Sequence, residues 1–298
     1  MEKVRYSIDK IKLHFKYIKL ERIKSFLIEL EKSNFNKYYE SNKVTNCKHN
    51  FNFGESDGVV YVGVVPNWIR EERFDKDIIL EYNPNKVNPF LIKELAWLLQ
   101  HNKACIEVMS IDFAIDFKLP YKYFRMLKRD KREYMCSIGH GEVETQYLGA
   151  LGHNHIKLYD KAKEQKIKDL DWTRLEITCK EIKSLSSQLK DFDCMSFPTL
   201  LIVNADINFD ILQLPDITRI VLESIIQDIN VLYTINRYET RKKYEQLLSD
   251  FFNSYQVDVN CLYKVYNNYA QIFNNNTKIT SFMDIDLLFH KNKFVKRL

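Results

Sequence analysis

The stretch Val143–Lys180, VETQYLGALGHNHIKLYDKAKEQKIKDLDWTRLEITCK, decides the fold class. It holds three runs that read as strands, VETQYLGAL, NHIKLYDK and WTRLEITCK, and the gaps between them are of hairpin length. Strands joined that way pair antiparallel. In the middle run Ile156 and Leu158 fall on one face, and His155, Lys157, Tyr159 and Lys161 fall on the other. In the third run Trp172, Arg174, Glu176 and Thr178 share a face. Such alternation also suits a half-buried strand with a solvated side.

Upstream, SIDFAIDF (Ser110–Phe117) places Ile111, Phe113, Ile115 and Phe117 on one face and Asp112, Ala114 and Asp116 on the other. An isolated buried carboxylate is costly, so this acidic notch needs a bound cation, an Arg or Lys partner, or open water. Asp9, in YSIDKIKLHF, is a candidate fourth carboxylate or a turn residue.

Earlier segments alternate strand-like runs (YSIDKIKLHF, GVVYVGVV, DIILEYN, CIEVMSIDFAIDF) with helical ones, a helix from Leu20 bearing Ile23, Phe26, Leu27 and Leu30, and FLIKELAWLLQHN. The expected fold class is α+β, a largely antiparallel sheet with helices on one face. Near residue 195 the composition changes. PDITRIVLESIIQDINVLYTI, RYETRKKYEQLLSDFFNS and VNCLYKVYNNYAQIFNN read as helices, which predicts a first region over 1–195 and a helical region over 196–298.

With 298 residues, 45% of them hydrophobic, the chain can bury a substantial core. Its six cysteines form no C-x-x-C pair, which points to a reducing, cytoplasmic setting. No apolar run suits a signal peptide or a membrane span. The net charge of +5 permits a polyanion partner without demanding one. Its densest basic cluster is YKYFRMLKRDKREY, where Lys122, Arg125, Arg129 and Arg132 recur at helical spacing with Tyr121, Phe124 and Leu127 turned inward. That pattern fits a helix along a phosphate backbone or a solvated amphipathic helix.

Three strands together thus suggest a sheet whose polar face bears Asp112, Asp116, Glu176, Arg174, His155, Lys157 and Tyr159. Oxygen ligands of this kind suit Mg²⁺ or Mn²⁺. Zinc is not expected, because His14, His49, His101 and His290 lack partners at ligand spacing. A phenol ionises near pH 10, so its anion at neutral pH costs roughly 4 kcal/mol, which a metal or an ammonium such as that of Lys161 offsets. Tyr147, in TQYLG, is the rival phenol and reads as a packed anchor.

IDFAID, TQYLG, IKLYDKAKE and DWTRLEI, in this order, resemble the trans-acting Rep family of rolling-circle replication initiators and related relaxases of conjugative elements. The resemblance is densest from Val108 to Lys180. It implies a metal-dependent DNA nickase of a plasmid or mobile element, in which a tyrosine becomes joined to the 5′ phosphate and a 3′ hydroxyl is left for a polymerase. Tyr159 is then the nucleophile, with Lys161 and Arg174 at the phosphate and Asp112, Asp116 and Glu176 holding Mg or Mn. The implied partners are origin DNA, single-stranded at the nick, and a host helicase and polymerase. Candidates for DNA contact are Lys122, Arg125, Arg129 and Arg132 of the basic segment, Lys157, the run RYETRKKYE at Arg237 to Glu245, and the tail HKNKFVKRL. Residues 1–195 become the nicking domain, and 196–298 a region for DNA binding or homodimer formation. The chain departs from the family pattern at Ser110, Ala150 and Leu151, where basic or hydroxyl residues are usual. His153 and His155 flank polar Asn154, unlike the two-histidine metal motif of other nickases. A non-catalytic DNA-binding regulator, a conjugative relaxase and a nuclease using water are the alternatives.

Overall fold

Residues Arg5–Lys19 form one long strand, β1, whose alternation explains it. Ile11, Leu13 and Phe15 are fully buried, while Lys10, Lys12, His14 and Lys16 occupy the more exposed face. In this computed structural model the described residues are 4–19, 28, 39–40, 47, 49–53, 58–65, 75–88, 92, 106–127, 133–139, 142–149, 155–192, 197–203, 214–248 and 252–273. The helix expected from Leu20, most of that at 90–102, and His153, Ala150 and Leu151 lie outside them.

The further strands are β2 (Tyr39–Glu40), β3 (His49–Phe53), β4 (Val60–Val65), β5 (Asp75–Tyr82), β6 (Ile106–Phe117), β7 (Phe124–Leu127), β8 (Tyr134–Gly139), β9 (Glu142–Leu148), β10 (Ile156–Asp160), β11 (Thr173–Cys179), β12 (Thr199–Val203) and β13 (Phe252–Tyr255). Four α-helices are described: α1 (Lys161–Glu164), α2 (Asp216–Gln227), α3 (Tyr238–Leu248) and α4 (Val259–Ala270). The fold is α+β. Ten strands follow the order β2-β3-β4-β5-β1-β6-β11-β10-β9-β8, and a separate sheet runs β13-β12-β7. Among the described residues no helix is long and apolar enough to cross a membrane.

Two compact units divide the chain, each drawn from separated stretches. One comprises Met1–Arg5, Ala114–Ile177 and Met195–Asp258, and the other Tyr6–Phe113, Thr178–Cys194 and Val259–Leu298. Residues beyond 195 supply β12 and β13, and β12 pairs with β7, as in Leu200 opposite Met126. Antiparallel pairing across more than seventy residues of sequence therefore ties the late segment to the middle of the chain.

In the second of these units, Ile106, Val108, Ile111 and Phe113 of β6 are buried, with Met109 and Ser110 both partly exposed. Glu107 and Asp112 meet β1, where His14 Nδ1 and Lys16 Nζ meet Glu107 at 3.2 and 2.6 Å and Lys10 Nζ meets Asp112 at 3.1 Å. Asp9 accepts from Asn83 in the turn after β5, at 3.2 Å. On the apolar side Phe192 packs on Phe113 and on Tyr263 and Tyr266 of α4, with ring centroids 6.1, 5.5 and 5.3 Å away.

In the other unit, the basic segment after Pro120 is not a helix. Tyr121–Tyr123 form a single 3₁₀ turn, and Phe124–Leu127 form β7. Phe124 and Met126 are fully buried on either side of part-buried Arg125, a period of two that pairing with β12 enforces over the helical reading. Gln146, 2% exposed, joins β9 to β7: its Oε1 accepts from Met126 N at 2.9 Å, and its Nε2 donates to Phe124 O and Tyr121 Oη at 3.2 Å. Burial, partly offset by that bond from Gln146, pushes the Tyr121 phenol up to about 12.

The helical part of this unit follows from spacing. α2 starts after Pro215 and buries Thr218, Leu222 and Ile225 along one stripe. Leu222 and Ile225 cluster with Leu232, from the 3₁₀ turn Ile229–Thr234, and with Tyr244 and Leu248 of α3. Each fully buried aliphatic side chain there contributes about 1.5–3 kcal/mol. Beyond α3 the expected helix stops, because Phe252–Tyr255 pair with β12.

Candidate functional site

The register of β10 against β11 sets the geometry. Tyr159 lies opposite Arg174 and Lys157 opposite Glu176, and residues facing each other across an antiparallel pair share a face. On the far side of β10, Tyr159 faces Thr145 and Lys157 faces Tyr147 of β9. The other face is apolar, with Ile156, Leu158, Leu175 and Ile177 buried. The alternation read from NHIKLYDK thus holds, except that Lys161 has left the strand and opens α1.

Tyr159 is only 4% exposed and sits among charges. Its Oη donates to Glu176 Oε2 at 3.2 Å, and Lys161 Nζ lies 3.5 Å from Tyr159 Oη, at the outer edge of hydrogen-bond distance. Lys157 Nζ stands 4.2 Å from the centre of the phenol ring and 3.9 Å from Glu176 Oε2. Each cation over the ring contributes on the order of 0.5–1 kcal/mol.

Lys161 reaches back because the chain turns at once. Asp160 caps α1 by accepting from Lys163 N at 2.9 Å, and the short helix swings Lys161 beside Tyr159. Lys161 also bonds Glu164 one turn on. Burial pushes the Glu164 carboxyl up, but the bonds from Lys161 and Gln165 and the charge of Lys161 outweigh it, and the net shift is downward. After the helix, Lys166 and Asp169 adopt φ of 56° and 62°, left-handed conformations uncommon for residues other than glycine.

Beside these residues, Asp116 is fully committed. Its Oδ1 accepts from Arg174 Nε at 2.7 Å and Trp172 Nε1 at 2.8 Å, and its Oδ2 accepts from Arg174 Nη2 at 3.0 Å. Arg174 is 6% exposed and Asp116 8%. Asp112 belongs to the other unit, where Lys10 takes Oδ2 and Thr178 Oγ1 donates to Oδ1 at 2.8 Å.

These pairings bear on the expected Mg²⁺ or Mn²⁺. Mg²⁺ takes six oxygens in octahedral geometry, usually one or two of them from carboxylates and the rest from water or phosphate. Asp112, Asp116 and Glu176 each accept hydrogen bonds or ion pairs from protein cations and donors, and among the described residues no three His, Cys, Asp or Glu side chains are grouped to hold a metal. Of the alternatives that the acidic notch left open, Arg and Lys partners are the ones realised.

The expected DNA contacts separate. Lys157 joins the Tyr159 cluster. Lys122 is exposed, with its ammonium 5.2 Å from the Tyr123 ring. Arg125 is spent on the backbone, donating to Ile226 O and, through Nη1, to Lys122 O at 2.7 Å and Phe124 O at 2.8 Å. Arg129 and Arg132 lie outside the described residues. Sequence reading missed Glu164 as a partner of Lys161, although the spacing of three within a helix was the available signal. It also missed Lys10, whose only signal was the alternation of β1.

No family model matches the chain, and no curated protein matches it. Among solved structures, the rolling circle replication initiator protein from Geobacillus stearothermophilus is similar at 15% identity over 94% of this chain and 100% of that chain, with a TM-score of 0.37.

Proposed function

We propose that this chain nicks single-stranded DNA and joins itself to the 5′ phosphate through Tyr159, initiating rolling-circle replication of a plasmid or mobile element. The observation that carries the reading is one phenol oxygen within reach of both a carboxylate, Glu176, and an ammonium, Lys161. In the proposed step Tyr159 Oη attacks phosphorus while its proton passes to Glu176 Oε2, and the bond from phosphorus to the 3′ oxygen breaks. That oxygen leaves as a 3′ hydroxyl, taking a proton from solvent. Lys157 and Lys161 lie where they would offset the charge on the non-bridging phosphate oxygens, and at an effective dielectric constant of about 20 one unit charge at about 4 Å is worth roughly 4 kcal/mol. Arg174, opposite Tyr159, is held in place by Asp116, whose carboxylate balances its charge. No step is assigned to a metal ion.

The test is incubation of the full chain with a labelled pool of single-stranded oligonucleotides of random sequence, with Mg²⁺, with Mn²⁺ or with chelator, read on a denaturing gel. A protein-linked fragment formed by wild type and absent in Tyr159→Phe is expected. An adduct that persists in Tyr159→Phe and vanishes in Tyr147→Phe would move the nucleophile. Cleavage without linkage would favour a nuclease using water.

A second reading has its own observation. Tyr159 is 4% exposed and its neighbours are paired with one another, which suits a DNA-binding regulator that retains the scaffold without the chemistry. Binding of the pool without cleavage is its signature.

A further inference from the structure

We propose that Glu164 is a latch on the Tyr159 site: its carboxylate takes the seat on Lys161 that a DNA phosphate needs, and the site opens when that phosphate displaces it. The latch presupposes the nicking reading, in which Lys161 meets the scissile phosphate. Lys161 Nζ stands between two oxygens, Tyr159 Oη at 3.5 Å and Glu164 Oε2, and the contact with Glu164 is the tighter. A carboxylate and a phosphodiester each present two oxygens sharing one negative charge to such an ammonium. Both anions on one ammonium beside the same phenol would repel each other at close range. The carboxylate therefore has to leave before a phosphate settles against Tyr159.

One side chain is the moving part. The side chain of Lys161 is only 11% exposed, and its backbone is pinned, since Lys161 N and Ala162 N both donate to Trp172 O, at 2.8 and 3.3 Å. Glu164 is the opposite case: it ends α1, and its side chain is 44% exposed. Its other bond, from Gln165 Nε2 at 3.1 Å, falls on the same oxygen that Lys161 holds and comes from the next residue along. The turn itself is closed by the backbone, through Gln165 N to Lys161 O at 3.0 Å and Ile167 N to Ala162 O at 2.9 Å. A change of Glu164 rotamer therefore frees the ammonium while the turn stays folded. An ion pair with one exposed partner is held weakly, which suits a contact that the substrate has to break. When DNA leaves, the carboxylate returns to Lys161 and covers the charge again.

The test compares wild type with Glu164→Gln, both as full chains, with equal melting temperatures as the check on folding and Glu164→Ala as a second variant. Adduct formation is followed in single turnover across concentrations of the single-stranded pool. Glu164→Gln is expected to lower the half-saturating concentration about fivefold, the most that an exposed ion pair holds back, and to change the rate at saturation little. Inorganic phosphate is the second probe, titrated in the absence of DNA against the NMR signal of the Lys161 side chain. It is expected to saturate that signal at about fivefold lower concentration in Glu164→Gln than in wild type. Equal phosphate titrations, or an unchanged half-saturating concentration for the pool, overturn the latch. Slower adduct formation in Glu164→Gln overturns it as well, because Glu164 would then hold Lys161 in place for the reaction rather than cover it. If wild type forms no adduct while the phosphate titrations differ as expected, the nicking reading falls and the latch on Lys161 stands.

Discussion

Arg174 and Asp116 meet through two parallel hydrogen bonds, Nε to Oδ1 at 2.7 Å and Nη2 to Oδ2 at 3.0 Å, with both side chains almost wholly buried. A two-point geometry of this kind fixes the plane of the guanidinium beside Tyr159, and Trp172 Nε1 fixes the carboxylate in turn. Removing one partner strands a buried charge. Asp116→Ala is therefore expected to destabilise the protein by about 3–5 kcal/mol. Arg174→Lys, which keeps the charge but loses the fork, should cost less than Asp116→Ala yet more than a surface exchange. Urea unfolding measures both, and a change below 1 kcal/mol for Asp116→Ala would mean that the pair is not formed in solution.

Glu176 is expected to act on the proton of Tyr159. Glu176→Gln keeps the size of the side chain and an acceptor for the phenol, but removes the base. Adduct formation in single turnover at neutral pH should fall by about 10²–10⁴ while the melting temperature changes little. Raising the pH should recover part of the rate, because hydroxide replaces the lost base. A rate equal to wild type would remove Glu176 from the chemistry.

How far the sequence led is clearest from individual residues. Ile156, Leu158, Leu175 and Ile177 sit where period-two alternation puts them, because a half-buried antiparallel hairpin leaves its pattern in adjacent residues. The face shared by Tyr159, Lys157, Glu176 and Arg174 was legible for the same reason. β7 was not. Four residues between cations look helical until Thr199–Val203 supply the pairing, and that partner lies far along the chain. The pairing of Asp112 with Lys10 was equally hidden, since it depends on a strand about a hundred residues earlier. Local periodicity survives in sequence, whereas the choice of partner is made by tertiary packing.

Gln146 offers a test of the joint between β9 and β7. Its amide satisfies Met126 N, Phe124 O and Tyr121 Oη inside the core. Gln146→Leu has nearly the same volume but leaves two backbone groups without this partner. A loss of about 2–4 kcal/mol is expected from the unsatisfied groups, despite the added apolar surface. Denaturant unfolding of the variant, with Tyr121→Phe as a milder comparison, checks it. A variant as stable as wild type would show that water or another donor takes the place of the amide.

The pH dependence of stability should carry the mark of Glu107. The hydrogen bond from Lys16, at 2.6 Å, is the largest influence on its carboxyl; burial opposes it, and the charges of Lys16 and His14 add to the lowering, so the group ionises below its ordinary value of 4.5. A carboxyl whose pKa is depressed by folding stabilises the native state above its unfolded pKa, and that contribution is lost as pH falls through the folded pKa. The window therefore opens near pH 4.5 and extends downward. Glu107 is more than one-third exposed, so screening keeps the effect small and makes it smaller still in high salt. Lys16→Ala should raise the Glu107 midpoint, seen directly by NMR titration of the side-chain carboxyl, and should flatten the fall in urea stability below pH 4.5. An unchanged midpoint in Lys16→Ala would show that the β1 lysine does not hold Glu107 in solution.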